Sequence, residues 1–238
     1  MNLCKKIIVL VCLSSMLLGF NLSSKKEIPN NLDLNKIDEI NKQDIISKDK
    51  VKNEQSQVVV ELKAEKQRIL KVAYCREDIT VVTGINKEEM KQVLLSTKGA
   101  KTMVHLADAF VEAEKKYGIN AFFMAGVVAL ESGFATSRRA VEDNNLTGYE
   151  VYKDNSEGKL FSTQIESILQ TAKHLRKNYL TEGGVYYNGL SVDAIQIQYC
   201  PDEGLNKNWN GKVNELANSF FNTYNDLFKN NIEISQKN

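Results

Sequence analysis

The chain has almost no surplus of charge: 31 Lys and Arg stand against 30 Asp and Glu in 238 residues. Proteins that bind nucleic acid by displacing counterions from phosphates need a basic excess, so no nucleic-acid partner is expected. Histidine is scarce as well. His105 and His174 lie in separate helix-like segments without neighbouring ligands, and the cysteines have no metal-type spacing, so no metal and no cofactor is expected. Nor is there an apolar run long enough to span a bilayer comfortably at the N-terminus, where Lys5 and Lys6 precede the apolar stretch 7–20. A basic start and a short apolar region read as an export signal peptide or, left uncleaved, an N-terminal membrane tether over residues 1–22. Cys12 comes after Val9, Leu10 and Val11 rather than a small residue, which argues against lipid attachment. No internal repeat of solenoid period is visible.

With the signal region set aside, Cys75 and Cys200 are the one remaining pair in a chain bound for a non-cytosolic space, and a disulfide between them is expected. Residues 23–79 are dominated by Lys, Asn, Asp, Glu, Gln and Ser, with scattered Ile and Leu that sustain no helical stripe. They read as a polar, largely disordered tether. The remaining sequence is long enough for one globular domain, 80–230, before a flexible tail at 231–238.

Inside that domain the helical period is strong. Asn86 and Glu89 form a capping-box start, with Met90, Val93 and Leu94 as the stripe behind it. A second helix is expected over 102–117, closed by Gly118 at the position of a C-cap glycine. Asn120 caps a third over 121–130, apolar on every side and therefore surrounded by other helices. Thr163 with Glu166 and, later, Ser191 open two more, and Val213, Leu216, Phe220, Tyr224 and Phe228 mark a last one. The exception is 146–161. There Tyr149, Val151 and Tyr152 precede the turn residues Asn155, Ser156, Glu157 and Gly158, with Leu160 and Phe161 beyond them, which predicts one short β-hairpin.

Glu131 stands directly after the apolar third helix. Partial burial and the negative end of the helix dipole both disfavour its ionisation, raising its pKa toward the range of a general acid near neutral pH. The alternative is a glutamate that merely closes the helix or pairs with Arg138 or Arg139.

The residues around it favour chemistry. Glu131-Ser-Gly-Phe-Ala-Thr-Ser137, with Asn144-Asn-Leu-Thr-Gly148 after it, resembles the motif of the bacterial endo-β-N-acetylglucosaminidase family of autolysin and flagellar type. That pattern runs Glu-(Ser/Thr)-Gly-aromatic-Gly-(Thr/Ser)-Ser and then Asn-Asn-Leu-Phe-Gly. A second block, Tyr199-Cys-Pro-Asp202 with Trp209 and Lys212-Val213 beyond it, is similar to the family's late Tyr-x-x-Asp segment. Here Ala135 and Thr147 replace the usual glycine and phenylalanine, and Cys-Pro stands where many members have Ala-Thr.

The resemblance spans roughly residues 85–228. It implies a mainly α, lysozyme-like α+β fold in which a small β-hairpin lobe flanks a substrate groove, and hydrolysis of peptidoglycan glycan strands at the β-1,4 bond after N-acetylglucosamine. By the same likeness Glu131 is the catalytic acid and Tyr199 an active-site residue. Asn145 and Gly148 are expected to shape the backbone beside the groove or hold a substrate group, Tyr149 and Trp209 to offer faces to sugar rings, and Trp209 alternatively to pack against Val213. Tyr186 and Tyr187 are further candidates for such faces, and Asp202 either caps its loop or touches substrate. Glu150, Asp154 and Glu157 are the candidates for a second carboxylate. Two rivals are a lytic transglycosylase, whose Gly-Leu-Met-Gln-like element is absent here, and a wall-binding protein without turnover.

Overall fold

The computed structural model describes residues 34–151, 157–201 and 207–230. The signal segment and the tail fall outside the described residues, as do Tyr152, Asp154 and Asp202. The chain divides into two compact units, Met1–Gln67 and Arg68–Asn238. Helix α1, Leu34–Lys71, occupies the described part of the first unit and runs into the start of the second. An unfolded tether is expected there from the sequence, and the structure has a helix instead. The segment contains neither Gly nor Pro and is rich in Lys, Glu and Gln, residues that cost little in a helix, so a weak apolar stripe does not forbid one. Among the described residues no helix is long and apolar enough to cross a membrane.

The second unit is a helical domain whose core already takes in Ile69, Val72 and Ile79, ahead of the boundary expected at residue 80. Helix α2, Lys87–Ser96, opens with the complete Asn86–Glu89 capping box. A 3-10 segment, Ala100–Leu106, leads into α3, Ala107–Tyr117, which Gly118 closes in the left-handed conformation. Helix α4, Ala121–Ser132, comes next, and its residues 121–129 are all buried. After α5, Arg138–Glu142, come α6, Gln164–Asn178, and α7, Val192–Tyr199. The last helix is α8, Trp209–Tyr224, running into a π-helical turn, Asn225–Lys229.

Helix α4 is held from its N-terminus. The Asn120 carbonyl accepts from Phe122 N and Phe123 N, while its amide donates to Ala73 O and Val81 O. The buried Glu114 carboxylate accepts four more bonds, from Thr83 N, Thr83 Oγ1, Gly84 N and Ala121 N, all at 2.8–3.0 Å. Backbone donors at a helix start suit a negative charge, and they satisfy one that burial would otherwise make costly.

The expected β-hairpin is not formed: among the described residues there is no strand. The arms of that segment do meet, through Phe161 N to Asp143 O and Lys159 N to Tyr149 O. A ladder is blocked for two reasons. Gly148 and Glu150 have φ of 63° and 59°, outside the extended region. The Asn145 side chain also takes up Tyr149 N, Tyr149 O and Lys159 O, groups a ladder would use. The mainly helical class holds; the sheet component does not.

Gly126 lies where α4 crosses α8. A Cβ there would meet Val213 O at 2.9 Å and Ala217 N at 3.2 Å, both main-chain atoms that cannot rotate away. Gly126→Ala is expected to cost about 1–3 kcal/mol by overpacking, read as a lower denaturant midpoint at unchanged slope.

Candidate active site

Helix α4 reaches solvent only in its last turn. Leu130 is half-buried, Glu131 is exposed, and Ser132 is buried again. The backbone then turns sharply, because Gly133, Phe134 and Ala135 all adopt positive φ, at 56°, 59° and 62°. Bonds back to the helix end hold this left-handed run: Phe134 N to Ala129 O, Ala135 N to Ser132 Oγ, and Thr136 N and Ser137 N to Ser132 O. The exposed Glu131 lies just ahead of this run.

Its carboxyl is nonetheless crowded. The indole of Trp209 donates from Nε1 to Glu131 Oε1 at 2.6 Å, and the Trp209 ring lies 5.1 Å from the ring of Tyr199. Burial pushes the Glu131 pKa above the ordinary carboxylate range, and the indole bond opposes this more weakly. Of the arginines in the alternative reading, Arg138 pairs with Glu142, and the hydrogen bond to Glu131 comes from Trp209.

Tyr199 is half-buried at the end of α7, and its hydroxyl donates to Thr147 O across a long 3.4 Å. Burial first, and then the nearby Glu131 charge, hold its pKa far above the ordinary tyrosine value. It is a neutral hydrogen-bond donor at any physiological pH. Thr147 is itself fixed by a 2.7 Å bond between its hydroxyl and that of Thr171 on α6.

From Trp209 a row of rings leads outward. Tyr199 meets Tyr179 at 6.0 Å, Tyr179 meets His174 at 5.8 Å, and His174 meets Tyr149 at 5.5 Å. Tyr186 branches from Tyr179 at 5.0 Å and, with Tyr187, is more than a third exposed. Burial lowers the His174 pKa, so this ring is a neutral member of the row.

The structure therefore joins Glu131, Tyr199 and Trp209, and gives other candidates different surroundings. Asn145 is 2% exposed and its amide is fully engaged in closing the 145–159 loop. Gly148 supplies that loop with a left-handed turn, and Tyr149 packs edge-on against Phe161 and His174. Glu150 and Glu157 are exposed on the same loop. Trp209 is 4% exposed, so it presents an N–H to Glu131 and no open face to a sugar. Cys75 and Cys200 are not joined in a disulfide. The Cys75 thiol turns to the Glu77 carboxylate, whereas Cys200 packs against the core. Among the described residues no group of three His, Cys, Asp or Glu is placed to hold a metal ion.

The Trp209–Glu131 bond is the part that sequence reasoning missed. A lone tryptophan opening a helix carries no local mark of its partner, which lies 78 positions away.

A carboxyl raised by burial thus lies near a neutral phenol in a mainly helical domain. The profile of the Glucosaminidase family, described as mannosyl-glycoprotein endo-beta-N-acetylglucosaminidase, matches residues 107–226, and the chain belongs to that family. Two Streptococcus pneumoniae proteins provisionally named endo-beta-N-acetylglucosaminidase are each 29% identical to it over 137 residues, or 53% of this chain. The chain spans about a fifth of the length of these curated relatives, 20% and 18%. Among solved structures, a catalytic mutant of S. aureus autolysin E in complex with the disaccharide NAG-NAM and autolysin E with the muropeptide NAM-L-Ala-D-iGlu each align with a TM-score of 0.48 at 17% identity. Each alignment covers 68% of this chain and 78% of the other.

Ala135 holds a conformation that suits glycine, at the position where the family motif carries one. Left-handed backbone costs an alanine roughly 1–2 kcal/mol, part of which glycine loses again through its freer unfolded chain. Ala135→Gly is expected to stabilise the protein by up to about 1 kcal/mol, seen as a higher Tm with activity retained.

Proposed function

We propose that this chain is an exported peptidoglycan hydrolase that cleaves the β-1,4 bond following N-acetylglucosamine in glycan strands. Residues 1–22 serve as its signal or membrane anchor and the polar segment to residue 79 as the spacer toward the wall. The observation that carries the reading is Glu131, a carboxyl kept protonatable by burial and aimed by one hydrogen bond, in a domain of the Glucosaminidase family. The mainly helical frame suits a lysozyme-like enzyme.

In this mechanism Glu131 gives its proton to the glycosidic oxygen as the bond to the anomeric carbon breaks. The carbonyl oxygen of the substrate's own 2-acetamido group attacks that carbon and closes a ring. Water then opens the ring, passing its proton to the Glu131 carboxylate, which restores the acid. Tyr199 hydrogen-bonds the substrate near the anomeric carbon, exchanging its long bond to Thr147 for a shorter one. A nucleophile must be held within a fraction of an ångström. Glu150 and Glu157, exposed on their loop, are not held in that way.

Glu131→Gln keeps the size and the acceptor for the indole but has no proton to give. It should fold normally and lose on the order of a hundredfold or more of its wall-solubilising rate; near-normal turnover would remove Glu131 from the role. Mass spectrometry of the products reads the bond cut. Reducing-end N-acetylglucosamine is expected, whereas muramic acid ends mean a muramidase, anhydro ends a transglycosylase, and no release a binding protein.

The same digest tests the second group. Glu150→Ala, Asp154→Ala and Glu157→Ala are each expected to retain substantial activity, Tyr199→Phe to lose more, and fresh product to keep the β configuration by NMR. Inverted product, or complete loss from one of the three carboxylate substitutions, assigns that carboxylate as the base that activates water.

A further inference from the structure

We infer that Trp209 is a positioning residue that decides which oxygen of the Glu131 carboxyl carries the transferable proton, holding Oε1 as a permanent acceptor and leaving Oε2 to face the scissile bond. The inference rests on the acid role proposed for Glu131 and adds the group that orients it.

An indole N–H donates and has no means of accepting. At 2.6 Å from Nε1, Oε1 is held as the acceptor when Glu131 is neutral; the carbonyl oxygen accepts better than the hydroxyl, so the bond favours the proton on Oε2. When Oε2 has given that proton away the bond persists, now to a carboxylate and correspondingly stronger. One contact thus serves the acid and the base halves of the cycle without rearrangement.

The indole is not free to swing. Its ring is 4% exposed and lies against Tyr199, and the helical turn that carries it is tied to α7. Gln196 accepts from Asn210 N at 2.7 Å, the Asn210 amide donates to Asp193, and Asn210 Oδ1 accepts from Gly211 N. Asp193 in turn is gripped by Arg76 through Nε at 3.2 Å and Nη2 at 2.6 Å. The titratable side chain facing Glu131 from α7 is Tyr199, which stays neutral; from α8 it is faced by the uncharged indole.

Trp209 is the single tryptophan of the chain, so its side chain gives one indole N–H resonance. In the wild-type protein that resonance is expected to shift with pH, following the ionisation of Glu131 at a pH above the ordinary carboxylate range. In Glu131→Gln it should be flat over the same interval. An indole signal that ignores pH in the wild-type protein overturns the contact, whether or not the chain proves to cut peptidoglycan. Kinetics test the consequence. The bond favours the ionised carboxyl, so losing it in Trp209→Phe raises the Glu131 pKa further. The alkaline limb of the kcat profile should move to higher pH, with kcat roughly tenfold lower or more and KM little changed. A raised KM with the limb in place means that the ring binds sugar, and a lower Tm with both parameters and the limb unmoved means that it only packs; either result refutes the positioning role. Should Trp209→Phe fail to fold, the resonance titration decides alone. Absence of any wall solubilisation by the wild-type protein would instead remove the proposed function while leaving the titration to judge the contact.

Discussion

The Glu114 carboxylate, sunk beneath the surface with four donors around it, is the fixed point of the domain. It ties the loop at Thr83 and Gly84 to the first residue of α4, while Asn120 secures the next two backbone amides. With its start so determined, a helix of 12 residues can only deliver Glu131 at one place and in one direction. Buried on all sides through residue 129, α4 cannot slide without dragging apolar side chains past α8. Removing Glu114 alone would strand several donors at once, a larger cost than the loss of any single bond.

Backbone strain is gathered around the other end of the same helix. Among the described residues, the non-glycine positions with positive φ are Phe134, Ala135, Asn144, Glu150 and Asn208. The first two release the chain after Glu131, the next two shape the loop carrying Asn145 and Tyr149, and the last precedes Trp209. Such conformations cost of order 1–3 kcal/mol each and persist where the surrounding structure over-determines them. The stability of a well-packed core offsets that cost where Glu131, Tyr199 and Trp209 come together.

How much of this was legible depended on distance along the chain. Asn86, Asn120, Thr163 and Ser191 all cap helices as their local sequence indicates, because a cap needs only three or four neighbouring residues. Glu131 stood out as a candidate for a similar reason: a charge at the end of an apolar run is anomalous by itself. The segment 146–161 misled because its aromatic and β-branched residues imitate a strand, while the decisive competitor is a side chain, Asn145, that occupies the ladder's partners. Helix α1 was missed for the opposite reason. Its propensity is spread over many unremarkable residues, and a search for an apolar stripe passes over it. Trp209 read as a sugar platform because burial is a property of the fold and not of the residue.

The hydrophobic core reaches back to Ile69, Val72 and Ile79, and Tyr74 and Arg76 in the same strap bond to Asn214 and Asp193. The family profile begins only at residue 107. A gene fragment trimmed to that profile would discard α2, the strap, and the Thr83–Gly84 partners of Glu114, exposing their counterparts on the remaining helices. The compact unit starts at Arg68, and whoever grafts this module onto another protein must carry the strap along with the helices it braces.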